Sequence, residues 1–239
     1  MIQLANKKIV IVGASSGIGR ALASIVSAQG AIVYLVSRSK EKLQQVKDSL
    51  PGEAHVLSMD MLDDASVNST FEAIGAFDFL TFTAVADETK LMAPIKSMSN
   101  TVAQRGMEKF WGTFNVARAA ANHINQQGAM VFTSSMAIYR PSKNGASMMN
   151  AASAAVAVFS KALALEIAPV RVNVVAPGVV ATGVWTDAQL QSNEQWAKDT
   201  LPVGHLGTAQ ELAHVYLSLL TNPYMTGSVV TADGGLALV

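Results

Sequence analysis

The stretch Ile9-Val-Ile-Val-Gly-Ala-Ser-Ser-Gly-Ile-Gly19 decides how this chain folds. Residues 9–12 form a short β-branched run that is typical of a strand buried on both faces. The glycines that follow let the chain turn sharply, let its backbone approach a ligand, and let a helix over about residues 17–29 pack closely. The start of a helix offers N–H donors and a partial positive charge to phosphate groups. We therefore predict that this loop binds the pyrophosphate of a dinucleotide.

Strand-like and helix-like segments alternate from this loop to the end of the chain. The predicted strands are residues 9–12, 31–36, 54–59, 77–86, 129–133, 171–176 and 228–232, and the predicted helices are residues 17–29, 40–50, 66–74, 102–126, 147–168 and 210–220. Such alternation produces parallel strands joined by right-handed crossovers. The predicted fold class is therefore α/β, a doubly wound parallel sheet of the Rossmann type with about seven strands and helices on both faces. No change of composition divides the chain, so we expect one domain over residues 1–239.

The composition argues against several classes of function. Of the 239 residues, 50% are hydrophobic and 14% are charged, which provides enough apolar material for a large core. Seventeen basic and seventeen acidic side chains cancel, so the net charge does not point to nucleic acid. The chain has no cysteine, and its four histidines show no metal-ligand spacing. We expect no disulfide, no cysteine nucleophile and no metal site.

The most apolar long segment, residues 151–167, is interrupted by Lys161 and Glu166. A membrane span needs about 20 apolar residues with few charges, so this segment is predicted to be a buried helix. The N-terminal segment is too short and too polar for a signal peptide. We expect a cytoplasmic protein without a membrane partner, and the low charge favours an oligomer that covers apolar helix faces.

Further motifs follow the glycine loop along the chain. They are Asp60 at the end of the third predicted strand, Arg171-Val-Asn173, Pro177-Gly-Val-Val-Ala-Thr182, Leu201-Pro-Val-Gly-His-Leu-Gly207 and Thr226-Gly-Ser-Val-Val-Thr-Ala-Asp-Gly-Gly235. Together with the spacing Gly-x-x-x-Gly-x-Gly, they resemble the motifs of the short-chain dehydrogenase/reductase family over nearly the whole chain. The resemblance implies that Asp60 meets an adenine ring and that residues 177–182 contact the nicotinamide carboxamide. It also implies a small-molecule substrate and a homodimer or homotetramer.

The end of the second predicted strand indicates which dinucleotide binds. An NAD-preferring site usually has a carboxylate where Ser37 stands, and that carboxylate would repel a 2′-phosphate by roughly 4 kcal/mol at about 4 Å and an effective dielectric near 20. Ser37 removes the repulsion, and Arg38 is either a charge-assisted fork for the phosphate or only a solvated surface charge. We predict NADP(H). The predicted cofactor-binding residues are Gly13, Ser15, Ser16, Gly17, Ile18, Gly19, Ser37, Arg38, Asp60, Met61, Ala84, Pro177, Gly178, Val180 and Thr182.

The catalytic positions depart from the family pattern. The family uses a Tyr and a Lys one helical turn apart, helped by a Ser and an Asn, and the Lys lowers the pKa of the Tyr that gives its proton to a carbonyl. Ser135 matches the family serine. When Phe159-Ser-Lys-Ala-Leu-Ala164 is placed in register with the family, Met149 falls at the tyrosine position and Ser153 at the lysine position.

Other side chains are candidates to replace the missing pair. Gly112-Thr-Phe114 places Lys109 at the asparagine position, where it is an electrophile or proton donor, a ligand for a substrate carboxylate, or a surface residue without a role. Tyr139-Arg-Pro-Ser-Lys143 contains the right residue types, but it follows Ser135 too closely and its proline is poor inside a helix. The next helix is predicted to begin after Gly145, with Ser147 as its N-cap. The candidate catalytic residues are therefore Ser135, Lys109, Tyr139 and Lys143, of which the last two are either a second route into the pocket or ordinary loop residues.

Two functions are compatible with these substitutions. The first is an NADP(H)-dependent oxidoreductase that acts on a small carbonyl or hydroxyl substrate through a non-standard proton-transfer site. The second is an NADPH-binding protein without redox turnover, either a sensor or a structural subunit. Non-redox chemistry on the same scaffold is a third, which no residue singles out. Residues 183–200 are predicted to form a lid over the substrate, with Trp185 and Trp196 as apolar walls.

Overall fold

The computed structural model describes residues 2–85, 91–141, 143, 145–183 and 185–239. In these residues strands and helices alternate along the chain. The strands are β1 (Lys8–Val12), β2 (Ile32–Ser37), β3 (Ala54–Ser58), β4 (Phe77–Phe82), β5 (Ile124–Thr133), β6 (Arg171–Pro177), β7 (Val180–Ala181), β8 (Gly207–Thr208) and β9 (Val229–Ala232). The helices are α1 (Gly17–Ala28), α2 (Lys40–Asp48), α3 (Asp64–Ile74), α4 (Asn100–Gly106), α5 (Glu108–Ala121), α6 (Ser147–Glu166), α7 (Asp187–Thr200) and α8 (Ala209–Thr221).

Seven strands form one parallel sheet in the order β3-β2-β1-β4-β5-β6-β9, and β7 and β8 pair separately. The chain runs outward from β1 through β2 to β3 and then returns to the other side of β1 as β4. Val12, the last residue of β1, is paired with Val36 of β2 on one side and with Phe82 of β4 on the other. This reversal of strand order opens a crevice at the carboxyl ends of β1 and β4, where ligands bind in such sheets. The predicted fold class is confirmed.

Helices cover both faces of the sheet because the side chains of each central strand alternate between the two faces. In β1, Ile9 and Ile11 pack in the cluster that includes α1, α2 and α8, whereas Val10 and Val12 pack in the cluster that includes α3, α5 and α6. All four side chains are buried. Burying an aliphatic side chain of this size contributes about 1.5–3 kcal/mol, so β1 anchors both layers and holds the loop that follows it.

The prediction of one helix over residues 102–126 is wrong. The chain forms α4 and α5 with a break at Met107, α5 ends at Ala121, and β5 already begins at Ile124 instead of residue 129. The first part of β5 is polar because it extends past the buried sheet, where Asn125 donates to the Asp78 carboxylate at 3.1 Å. That polar run has no strand pattern, so it looked like the exposed end of a helix.

The end of β4 and the N-cap of α6 also differ from the prediction. β4 ends at Phe82, so the predicted extension to Ala86 is wrong at residues 83–85, and Ala86 itself lies outside the described residues. Helix α6 begins at Ser147, and its N-cap position is Ala146, which has no capping side chain. The preceding Gly145 has φ +79 and sits against the backbone of Ala93, so tertiary contacts rather than a capping hydroxyl set the start of this helix.

Within the described residues, α6 is the one helix that is long and apolar enough to cross a membrane by length and composition. It packs against β5, β6 and α5, and its inward residues Val156, Leu163 and Ala164 belong to the core on that face of the sheet. The contacts of α6 are those of a core helix.

Candidate cofactor and active site

The loop after β1 is pressed against the end of β4. Gly13 has φ +97, and its N–H donates to the carbonyl oxygen of Val36 at 2.8 Å. A Cβ atom at Gly13 would lie 2.6 Å from the backbone nitrogen of Ala84, so only glycine fits. The hydroxyl of Thr83 donates to the carbonyl oxygens of Val12 and Gly13 at 3.2 and 3.4 Å. Thr83 is not among the predicted cofactor-binding residues, although its neighbour Ala84 is.

The start of α1 is built to face an anion. Gly17 has φ +52, and a Cβ atom there would lie 3.1 Å from the Cβ of Thr182, so this turn touches the segment that follows β6. Ser16 precedes the helix in an extended conformation and makes no capping hydrogen bond, and the first turn has no acidic side chain. A Cβ at Gly19 would overlap the carbonyl oxygen of Gly13. These residues fit the phosphates of a dinucleotide, because N–H groups and the helix dipole are directed at space that side chains leave open.

The predicted adenosine side lies at the ends of β2 and β3. Arg38 follows β2 directly, and its exposed guanidinium forms no ion pair with any described residue. The Asp60 carboxylate accepts the N–H of Leu62 at 3.0 Å, which fixes the turn after β3. Met61 packs against Gly112 of α5, where a Cβ would lie 2.7 Å from the Met61 sulfur. The serine, the arginine and the aspartate of the predicted site thus lie at one edge of the sheet.

The predicted nicotinamide segment follows β6. Pro177 is paired with Ala232 of β9, and the N–H of Gly178 donates to the carbonyl oxygen of Ala232 at 3.0 Å. A Cβ at Gly178 would lie 2.6 Å from the Cα of Asp233, so the backbones approach closely here. Val180 lies in β7, and Thr182 reaches the start of α1. The structure therefore brings Thr182 of this segment to the glycine loop, while Pro177 and Gly178 lie against β9 and the residue that follows it.

Lys109 of α5 points into the protein toward α6. Its Nζ atom donates to the carbonyl oxygen of Ser134 at 2.9 Å and to the hydroxyl of Ser153 at 3.4 Å. Ser134 in turn donates its hydroxyl to the carbonyl oxygen of Ser153 at 2.8 Å, and both serines are buried. An ammonium group from α5 thus meets Ser153 of α6, which the sequence register predicts to stand at the family's lysine position. Ser134 had no signal in the sequence beyond its place beside Ser135.

Ser135 lies two residues after β5 and follows Ser134, whose carbonyl oxygen binds this lysine. Its Oγ accepts the N–H of Ala137 at 3.2 Å and caps a 3₁₀ turn over Met136–Ile138. Because that bond uses a lone pair, the hydroxyl proton can still be donated to a ligand. Met149, at the family tyrosine position, is half-buried in the first turns of α6.

No tyrosine takes the place of the missing proton donor in the core of the site. Tyr139 is 55% exposed and its hydroxyl makes no hydrogen bond to a described residue; Lys143 is also exposed. Tyr216 is fully buried, and burial raises its pKa while it shares a hydrogen bond of 2.5 Å with Thr133. Tyr34 stacks on His55 at the β2–β3 edge, and Tyr224 lies on the loop after α8. Of the four tyrosines, Tyr139 alone follows a strand at the edge that carries the glycine loop.

The predicted lid is mostly the helix α7. Thr186 and Gln189 form a capping box at its start, and Ala197, Leu201 and Leu206 form a small apolar cluster beneath it. Trp185 packs against this cluster, whereas Trp196 does not belong to it. Val184, inside the predicted lid, lies outside the described residues.

A parallel sheet with a glycine-lined loop at its switch point defines a dinucleotide-binding α/β protein. Comparison with known proteins makes the assignment specific. Residues 13–237 match the family model described as enoyl-(acyl carrier protein) reductase. Carbonyl reductase family member 4 of Danio rerio is 32% identical over 96% of this chain and 98% of its own length, and 3-oxoacyl-[acyl-carrier-protein] reductase of Homo sapiens is 31% identical over 98% and 99%. The chain belongs to the short-chain dehydrogenase/reductase family, whose members are NAD(P)-binding oxidoreductases.

Solved structures agree with this assignment over the full chain. A small-chain dehydrogenase in complex with NADPH has a TM-score of 0.77 and 31% identity, and covers 98% of this chain and 100% of its own. A short-chain oxidoreductase from Pseudomonas aeruginosa PAO1, described as containing an atypical catalytic centre, has a TM-score of 0.88 and 26% identity over 98% of each chain.

Proposed function

We propose that this protein is an NADP(H)-dependent oxidoreductase that interconverts a small carbonyl compound and its alcohol, with Ser135 and Lys109 in place of the usual tyrosine and lysine. The observation that carries the proposal is the contact between Lys109 Nζ and the Ser153 hydroxyl at 3.4 Å. The positive charge that the family draws from α6 is supplied here from α5.

Each residue has a chemical role in the proposed reaction. A bound nicotinamide cofactor would supply or accept the hydride. The hydroxyl of Ser135 donates a hydrogen bond to the substrate oxygen. The ammonium of Lys109 is held at the carbonyl oxygen of the adjacent Ser134. From there it stabilises negative charge on the substrate oxygen and is the nearby proton source for the substrate. Gly13, Gly17 and the start of α1 hold the pyrophosphate, and residues 177–182 hold the carboxamide.

The choice of NADP(H) rests on the end of β2. Ser37 carries no charge, Arg38 is exposed and forms no ion pair with a described residue, and no acidic side chain follows the strand before Glu41. A guanidinium at this place suits a 2′-phosphate. The related dehydrogenase in complex with NADPH supports the same choice.

The substrate class rests on the relatives. Those reported above are named as a carbonyl reductase and a 3-oxoacyl reductase, both of which act on a ketone or aldehyde group by name. A related short-chain oxidoreductase is itself described as containing an atypical catalytic centre, which supports a non-standard site in this family. Tyr139 and Lys143 stay as predicted contributors from the loop after β5.

One observation favours a second candidate function. Met149 cannot transfer a proton, and a positioned acid contributes about 10²–10⁴ to the rate of such a reaction. An NADPH-binding sensor or structural subunit without turnover would need neither Tyr nor Lys. The two candidate functions predict different results for Lys109 variants. An oxidoreductase should lose NADPH turnover, whereas a sensor or structural subunit has no turnover to lose.

We also propose a cytoplasmic homodimer or homotetramer. Trp111, Val158 and Leu165 are large apolar side chains exposed on α5 and α6. A second subunit that covered them would remove apolar surface from water.

Oxidation of NADPH with a panel of aldehydes, ketones and 3-oxoacyl thioesters tests the proposal. Lys109→Ala and the near-isosteric Lys109→Met should lower kcat/KM about 10²–10⁴-fold, while Lys109→Arg retains part of the activity because it keeps the charge. Lys47→Ala, which removes an exposed cation from α2, is the matched control and should behave like the wild type. Tight NADPH binding without turnover of any substrate would support the second candidate instead.

A further inference from the structure

A turn near residue 236 touches three separate segments of the site. The Asp233 carboxylate accepts the N–H groups of Gly235 at 3.0 Å and Ala237 at 2.8 Å, and so holds a 3₁₀ turn over Leu236–Leu238. The backbone of Asp233 lies against Gly178, in the predicted nicotinamide segment. This turn, Asp233–Leu238, is called the C-terminal turn below.

The side chain of Leu236 connects the C-terminal turn to the lid. Leu236 packs in the apolar cluster with Trp185, Leu190 and Ala197, which are the inward residues of α7 and the segment before it. A Cβ at Gly235 would lie 2.6 Å from the ring of Pro202, so the turn also abuts the chain just after α7. The lid helix therefore rests on this turn.

The carbonyl oxygen of Leu236 connects the same turn to the loop after β5. It accepts a hydrogen bond of 2.7 Å from the guanidinium of Arg140. Arg140 belongs to a compact turn that Ser135 begins, because the N–H groups of Tyr139 and Arg140 both donate to the carbonyl oxygen of Met136 at 2.9 and 3.2 Å. A displacement of Arg140 should therefore also displace Ser135, because both belong to this one short turn.

We propose that Arg140 is a positioning residue, which through Leu236 ties the loop carrying Ser135 and Tyr139 to the lid helix so that the two move together. The bond is exposed and charge-assisted, so its strength is modest and the connection can open. Among the described residues, it is the side-chain hydrogen bond that joins the loop after β5 to the C-terminal turn. The role of Arg140 in catalysis rests on the proposed function, whereas its role as a mechanical connection does not.

Hydrogen–deuterium exchange of the full-length protein without ligand tests the connection directly. Arg140→Ala should raise exchange about threefold to tenfold in two separate peptides, residues 134–141 and residues 187–201. Arg140→Lys should recover part of the protection, because an ammonium can donate to the same carbonyl oxygen. Arg118→Ala, which removes an exposed arginine that pairs with Asp64, should leave both peptides unchanged.

Asp233→Ala supplies a second variant that acts on the acceptor side. It should raise exchange in the same two peptides, and adding Arg140→Ala to it should have little further effect, because the turn that presents the Leu236 carbonyl is already displaced. A rise that stays within residues 134–141, no rise at all, or effects of the two variants that simply multiply would overturn the proposal. Matching melting curves for Arg140→Ala and the wild type would show that the exchange reports local opening.

Kinetics then separate this proposal from the proposed function. With a carbonyl substrate, Arg140→Ala should lower kcat about threefold to tenfold and leave the Kd of NADPH unchanged, because the hydrogen bonds that Arg140 makes to described residues are to Leu236 and Met136 and not to the glycine loop. Arg140→Lys should restore part of kcat. A lower affinity for NADPH with unchanged kcat would contradict a positioning role. If the wild type turns over no substrate, the proposed function fails and the exchange experiment still decides the connection.

Discussion

The proposed cofactor side and the proposed catalytic side of this site lie along one edge of the sheet, and they are built from different parts of the chain. On the cofactor side the working parts are backbone: the positive φ of Gly13 and Gly17 and the N–H groups at the start of α1. On the catalytic side they are side chains from three separate elements, with Lys109 from α5 meeting Ser153 of α6 beside Ser134 at the end of β5.

This difference gives a physical reason why the glycine loop is expected to keep the family pattern while the catalytic positions are predicted to depart from it. A backbone cradle has one solution, because any Cβ at Gly13 meets the backbone of the neighbouring strand. A positive charge can reach the same point from more than one helix, provided that the side chain is long enough. We infer that the catalytic side can exchange residues between elements while the cofactor side cannot, and the following experiments test that inference.

The largest effect is expected from Gly13→Ala. A left-handed conformation costs a non-glycine residue about 1–2 kcal/mol, and crowding against backbone adds about 1–3 kcal/mol. We expect the unfolding free energy to fall by about 3 kcal/mol and NADPH affinity to fall by more than about a hundredfold, because the loop must move. Denaturant unfolding and fluorescence titration with NADPH measure the two quantities.

Gly75→Ala is the matched control for this change. Gly75 ends α3 with φ +65 and would place its Cβ in open space. Its ψ of −147 places it in a region open essentially only to glycine, so it should lose only the conformational part, about 1–3 kcal/mol, with unchanged NADPH affinity. Near-normal binding by Gly13→Ala would show that the cradle tolerates a side chain after all and would remove the basis of the comparison.

A charge exchange between α5 and α6 should give the next largest effect. Ser153→Lys restores the family residue but places a second ammonium beside that of Lys109, and two such charges about 4 Å apart at an effective dielectric near 20 repel by roughly 4 kcal/mol. We expect Ser153→Lys to lower the unfolding free energy by several kcal/mol, and added Lys109→Asn to recover most of the loss. Thermal and denaturant unfolding of the single and double variants measure the coupling.

Ser160→Lys separates repulsion from the general cost of a buried charge. Ser160 is a buried serine on the same helix, and at about 1.5 Å per residue it lies roughly 10 Å further along the axis. Its loss of stability should be the same with or without Lys109→Asn. If Lys109→Asn restored stability equally in Ser153→Lys and Ser160→Lys, the two ammonium groups at positions 109 and 153 would not be close neighbours.

The same difference decides what could be predicted from the sequence. The alternation of strand and helix patterns predicted the parallel sheet, and the spacing of Gly13, Gly17 and Gly19 predicted the loop at its switch point, because both signals are local in the chain. The contact of Lys109 with Ser153 could not be predicted, because it depends on how two helices pack. Arg140 gave no signal either, since its acceptor is a backbone carbonyl that any residue at position 236 would carry.

The wrong helix over residues 102–126 has a related cause. Residues 125–127 are polar because they extend β5 beyond the buried sheet. The Asp78 carboxylate accepts hydrogen bonds there from the Asn125 amide, the Lys7 ammonium and the N–H of Lys8. Burial raises the pKa of Asp78, but these hydrogen bonds outweigh it and hold the pKa below its usual value. A strand that is stabilised by such a distant cluster has no alternating apolar pattern of its own.

The smallest effect is expected at the rim of the cofactor side, where side chains rather than backbone select the dinucleotide. Ser37→Asp places a carboxylate beside the predicted position of the 2′-phosphate, and because Arg38 next to it is exposed, solvent and salt weaken the repulsion. We expect NADPH affinity to fall about tenfold, or about 1.4 kcal/mol, with equal or better binding of NADH.

Ser49→Asp is the matched control, because it adds the same charge at the far end of α2 and should leave the ratio of the two affinities unchanged. Titration of both cofactors against the three proteins measures that ratio. Tighter binding of NADH by the wild type would contradict the assignment of NADP(H). An unchanged ratio of the two affinities in Ser37→Asp would mean that the end of β2 does not select the dinucleotide through its side chains.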